Sequence, residues 1–138
     1  MTAVVSFPDV EQLVIGYLLD RLQDIDDDAT VTTEVPNPRP ARFVTVNRGG
    51  GPQKNLVADQ PLVLLECWGP NDADGISKAH DLAAFARAHL RAMRHQIIAG
   101  VPIYRVDEVS GIERLPDPDS GQPRVVFTIQ LLLRGSRP

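Results

Sequence analysis

The stretch RGGGPQKN, residues 48–55, is the first place where residue types and spacing could do chemistry. Three glycines between two cations invite comparison with a phosphate cradle, in which backbone amides and a helix N-terminus together hold the anion. Such a cradle needs G-x-x-x-x-G-K-[ST] between a strand and a helix. Here Lys54 does not follow a glycine, no Ser or Thr follows it, Pro52 removes a donor, and the next element reads as a strand. The 48–57 segment is therefore read as a long hairpin tip. Gly49, Gly50 and Gly51 make it adaptable, and Arg48 and Lys54 give it charge for a partner or a lumen.

Other clusters fail for equally physical reasons. In DIDDDATVTTEV, Asp24, Asp26 and Asp28 take the first, third and fifth places of a calcium loop, but Ala29 stands where glycine makes the turn and Val35 where a bidentate glutamate belongs. A solvated helix-to-strand connection is expected, although carboxylates near a helix C-terminus oppose its dipole and leave an interface cation open. Ser77, His80 and Asp81 in SKAHD suggest a triad, yet adjacent helical residues diverge by about 100° and cannot orient one another. His80, His89 and His95 lack the i, i+4 pairing of a helical zinc site. Cys67 falls inside a strand with no patterned His partner and reads as packing. No catalytic residue, metal or cofactor is assigned.

The elements that would carry these residues follow from periodicity. Residues 9–24 read as a helix with Asp9 as N-cap. Its apolar stripe, widened by Ile15 and Leu19, exceeds what one sheet face covers, so a second element or another subunit is expected against it. Alternation then predicts strands at 29–35, 41–48 and 61–68, the last apolar on both faces and so central. A second helix is predicted over about 73–95, small alanines on its inner stripe and Phe85 exposed on the opposite side. Arg87, Arg91 and Arg94 line one edge of that stripe, as a solvated row or a subunit contact. Strands at 101–109 and 124–134 complete the chain, joined through the turn-rich LPDPDSGQP, and 135–138 reads as a frayed tail. The expectation is one α+β domain: a mostly antiparallel sheet of about five strands with two helices on one face, in the order α-β-β-β-α-β-β.

Composition narrows the class. A chain of 138 residues with one cysteine needs no disulfide staple and reads as cytosolic. LVIGYLL is far shorter than the roughly 20 apolar residues of a membrane span. A formal net charge of −4 argues against a dedicated nucleic-acid binder. Charge is nevertheless segregated, with Arg39, Arg42, Arg48 and Lys54 in one region and the aspartates 24 to 28 in another.

Taken in order, SFPDVEQLVIGYLLDRL, VPNPRPARFVTVNRGGG, LVLLECWGPNDADGISKAHDLAAFARAHLRAM, GVPIYRVDEVSG and VVFTIQLLLRG resemble tail terminator proteins of long-tailed bacteriophages, particularly those infecting actinobacteria. The likeness runs from about Phe7 to Gly135 as a succession of phrases, with no catalytic signature in it. It implies a non-enzymatic virion protein, assembled in the host cytoplasm, that forms a six-membered homo-oligomeric ring. Such a ring caps the tail tube, stops its polymerisation and joins it to the head-side connector, while DNA passes through the lumen unread. A head–tail connector or stopper is a neighbouring reading. A small ligand-binding module or enzyme using the 48–57 loop is a reading from another class. A ring needs two complementary surfaces per subunit. Candidates are Ile15 and Leu19, Phe85 with Arg87, Arg91 and Arg94, and the loop residues Arg48, Gly49, Gly50, Gly51 and Lys54.

Overall fold

The computed structural model describes residues 4–138. Helix α1 (Val10–Asp24) starts as expected: the Asp9 side chain accepts the Gln12 N–H at 3.2 Å, satisfying one of the donors a helix N-terminus leaves open. Strands β1 (Thr30–Thr32), β2 (Phe43–Arg48), β3 (Ala58–Asp59) and β4 (Leu62–Trp68) follow, then α2 (Gly75–Arg91), β5 (Ile97–Ile98), β6 (Val101–Arg114) and β7 (Arg124–Arg134). Among the described residues the sheet has seven strands in the order β1-β2-β4-β7-β6-β5, with β3 pairing β7 off that path. The α+β architecture is the expected one, with two very short strands added. All its pairings are antiparallel except β1 with β2, which is parallel.

The alternation read in 124–134 is the organising feature. Val125, Phe127, Ile129, Leu131 and Leu133 all point to the helices and are buried, opposite Cys67, Leu65 and Val63 of β4 in register. Central β4 lies between β2 and β7. Cys67 is fully buried there, and desolvation pushes its thiol pKa well up, which suits packing and not nucleophilic attack. Helix α1 lies over β1 and β2, α2 over β4, β7 and β6, and the two helices touch.

That arrangement answers the width of the first stripe. The sheet and α2 cover it from within the chain, so Ile15 is only 8% exposed and Leu19 is half-buried against the core. Of the two coverings expected, a second element of the same chain is the one seen, and neither side chain is left as free surface.

Helix α2 stops at Arg91, short of 95. His95 takes a positive φ of 66° and donates its N–H to the Ile103 carbonyl at 2.8 Å, while the Ile103 N–H returns to Gln96 at 2.8 Å. Pairing with β6 thus replaces the last helical turn. Ala99 and Gly100, at φ 49° and 80°, close the β5–β6 hairpin in the conformation that two-residue loops favour. At the other end, Ser6 and Ser136 exchange backbone hydrogen bonds of 2.8 and 2.9 Å and the Gly135 N–H reaches Val57 O at 2.9 Å. The first residues of the 135–138 segment are therefore fastened rather than frayed.

The face of the sheet away from the helices carries its own small cluster. Phe43 and Trp68 are cross-strand partners whose rings stack with centroids 5.1 Å apart. The guanidinium groups of Arg39 and Arg124 lie over the Trp68 ring at 5.5 and 5.1 Å.

Candidate interaction surfaces

The Gly-rich segment is built, not slack. Gly49 N–H donates to Leu62 O at 2.8 Å and Leu62 N–H to Gly50 O at 3.0 Å. Asn55 Oδ1 accepts from the Val57 and Ala58 amides at 3.0 and 2.9 Å, a side-chain-closed turn. Gly51, at φ 93°, approaches the chain so closely that a Cβ would sit 2.2 Å from Gln60 O. Gly51 therefore serves close packing, whereas Gly50, with open space around it, serves the turn through its φ of 87°.

Arg48 is the clamp of this loop. Its Nε and Nη2 donate to Gly50 O and Gly51 O at 3.1 and 3.3 Å, and Nη2 lies 3.1 Å from Oδ2 of buried Asp59. Its own amide donates to Glu11 Oε2 at 2.8 Å, tying the loop to α1. Arg48 is thus consumed internally and is not presented to a partner. Arg39 and Arg42 are consumed too. Arg39 donates to Gln122 Oε1 at 2.9 Å, and Arg42 grips both Asp27 oxygens at 2.9 and 3.1 Å. Those Arg42 hydrogen bonds, opposed in part by desolvation, hold the Asp27 carboxyl below its ordinary pKa. Of the four cations expected to form a patch there, Lys54 alone has no ion-pair partner among the described residues.

Arg48→Ala is expected to cost about 2 kcal/mol of folding stability. Breaking a buried pair costs roughly 3–5 kcal/mol, reduced here because the Arg48 side chain is one-third exposed. Asp59→Asn in that background should recover part of the loss, since no unpaired buried carboxylate remains. Urea titrations of the single and double variants measure both, and an unchanged midpoint for Arg48→Ala would remove the clamp from this account.

On α2 the structure brings some candidates together and separates others. Phe85, expected to be exposed, is half-buried: it packs against the core and its ring lies against His89 with centroids 4.4 Å apart. It sits one turn from buried Leu82, which draws the ring inward. Arg94 lies past the end of the helix and donates Nε to His95 at 2.9 Å, so the expected row of three arginines is a pair. Arg87 and Arg91 do meet, on the rim of a groove of about 340 Å³ between α2 and β6. His80 joins the rim, and Ala84, Ala88 and Ile112 line the groove. Arg87 Nε stands 2.6 Å from Glu108 Oε1 but out of line for a hydrogen bond, so that pair is an ion contact only. Arg91 has no ion-pair partner among the described residues.

Ile112 was missed because β6 was expected to end at 109, before the Ser-Gly step, whereas Glu108 lies within the expected strand and was missed because its pairing with Arg87 is made across the fold. The strand runs to Arg114, with three register shifts against β7 along its length. Ala84 and Ala88, one helical turn apart and next to the arginines, were the available signal for a shallow groove. Among the described residues no group of three His, Cys, Asp or Glu side chains is placed to hold a metal ion, and no helix is long and apolar enough to cross a membrane. His80 Nδ1 and Asp81 Oδ1 are 3.9 Å apart with both side chains exposed, a loose contact open to water.

A mixed sheet with two helices on one side defines the class as α+β, and a solved structure shares this arrangement over nearly its whole length. A chain in the structure of the virion of a native gene transfer agent particle aligns with a TM-score of 0.66 at 15% identity, covering 91% of this chain and 95% of that one. That likeness shows a shared fold. No protein-family model and no curated protein matches the chain.

Proposed function

We propose that the chain is a structural virion protein of the tail terminator kind. It forms a hexameric ring that caps the tail tube, stops its growth and seats the head-side connector, with DNA crossing the lumen unread. The observation that carries this reading is the fold shared, over nearly the whole length, with a chain of a gene transfer agent virion. The ordered sequence phrases that resemble tail terminators support it independently. The competing ligand-binding reading loses its ground, because the loop's arginine and several of its amides are engaged within the chain.

Light scattering on the purified chain, alone and with tail tube protein, tests the proposal, together with images of tube ends. The expected result is a closed oligomer, free or at tube tips, and tubes of limited length when the chain is added. A strictly monomeric protein that leaves tube growth unaltered would refute it.

A further inference from the structure

We infer that the groove between α2 and β6 receives the acidic turn at the end of α1 from a second copy of this chain. The inference rests on the ring reading above and specifies which surfaces meet. The groove is lined by Arg91, which has no ion-pair partner among the described residues, by Arg87, paired with Glu108, and by His80, together with apolar Ala84, Ala88 and Ile112. One acidic segment of the chain has the converse design. Ile25, 57% exposed, ends α1 and stands between Asp24 and Asp26, with Asp28 just beyond.

Within one subunit only Asp27 of this turn is well compensated, by Arg42. Asp24 has only an exposed contact with Arg21 at 3.2 Å, and Asp26 and Asp28 have no ion-pair partner among the described residues. Carboxylates here also face the negative end of the α1 dipole, so an incoming cation relieves both costs. Exposed Ile25 gains from leaving water over the two alanines.

The positions of the two surfaces fix the kind of contact. The acidic turn leads into β1, at one edge of the sheet, whereas the groove borders β6 near the other. Two different patches at opposite edges make a heterologous, head-to-tail interface, which closes into a ring when the rotation permits. Charge complementarity would set its register and make it sensitive to salt.

The test uses the full chain under the assembly conditions above. Arg91→Glu and Asp28→Arg should each weaken self-association about tenfold or more, the double variant should restore most of it, and added salt should weaken the wild type. Ile25→Ser, at an exposed position, should weaken association without altering circular dichroism or thermal midpoint. If wild type forms closed oligomers and none of these variants changes their dissociation, the groove assignment fails while the ring stands. A wild type that never assembles, alone or on tubes, removes both.

Discussion

Gly75→Val is expected to leave the chain without a stable native state. A Cβ at Gly75 would lie 1.8 Å from Pro70 O and 2.8 Å from Pro123 Cγ, and one at Gly69 would lie 1.9 Å from Gly75 O. The exit of β4 and the start of α2 therefore touch backbone to backbone, and neither can yield without lifting the helix from the sheet. Strain of that kind belongs with changes that cost more than about 4 kcal/mol, against a total of roughly 5–15 kcal/mol for a domain. Gly16→Ala is the matched control: it lies in α1 with open space around its position and should stabilise by about 0.5–1 kcal/mol. Circular dichroism and urea unfolding decide the matter. A cooperative transition near the wild-type midpoint for Gly75→Val would mean that the close approach is not required.

Trp68→Ala should destabilise by about 3–5 kcal/mol, as large-to-small aromatic changes in packed sites do. Trp68 is 3% exposed although it lies outside the core beneath the helices. Its ring is held between Phe43 and the guanidinium groups of Arg39 and Arg124. Those arginines also fasten the 115–123 connection: Arg124 Nε donates to Leu115 O at 2.9 Å, and Arg39 lies 3.6 Å from Asp117. Loss of the ring should therefore loosen that connection as well as the sheet. Trp68→Phe, which keeps a stacking partner for Phe43, should retain most of the stability. Chemical denaturation compares the three proteins, and equal losses for Phe and Ala would show that ring stacking contributes nothing of its own.

Regular repeats were legible in the sequence wherever one face alone governs residue choice. The 124–134 strand, the Asp9 cap and the central position of 61–68 follow from period and cap chemistry. The second helix was overextended because Met93 keeps the apolar phase and is indeed fully buried, although a turn and not a helix places it there. What competes at that point is pairing between Gln96 and Ile103, a contact no local pattern announces.

The candidate surfaces were harder to read for a related reason. A sequence shows which cations cluster along the chain but not which acids meet them across it. Arg48 and Asp59, Arg42 and Asp27, and Arg87 and Glu108 are all such pairings. Only the two groove arginines kept the neighbourhood expected of them, and their setting required β6, whose far half is hidden behind a serine and a glycine.

Strand β6 has a further consequence. It runs for 14 residues along the rim of the sheet, yet its pairing slips at three places, and β5 covers only Val101 and Pro102. A long flat rim would template the addition of further strands and lead to amyloid-like stacks. A kinked rim resists that zipping, so copies of the chain can be crowded together without knitting into fibrils.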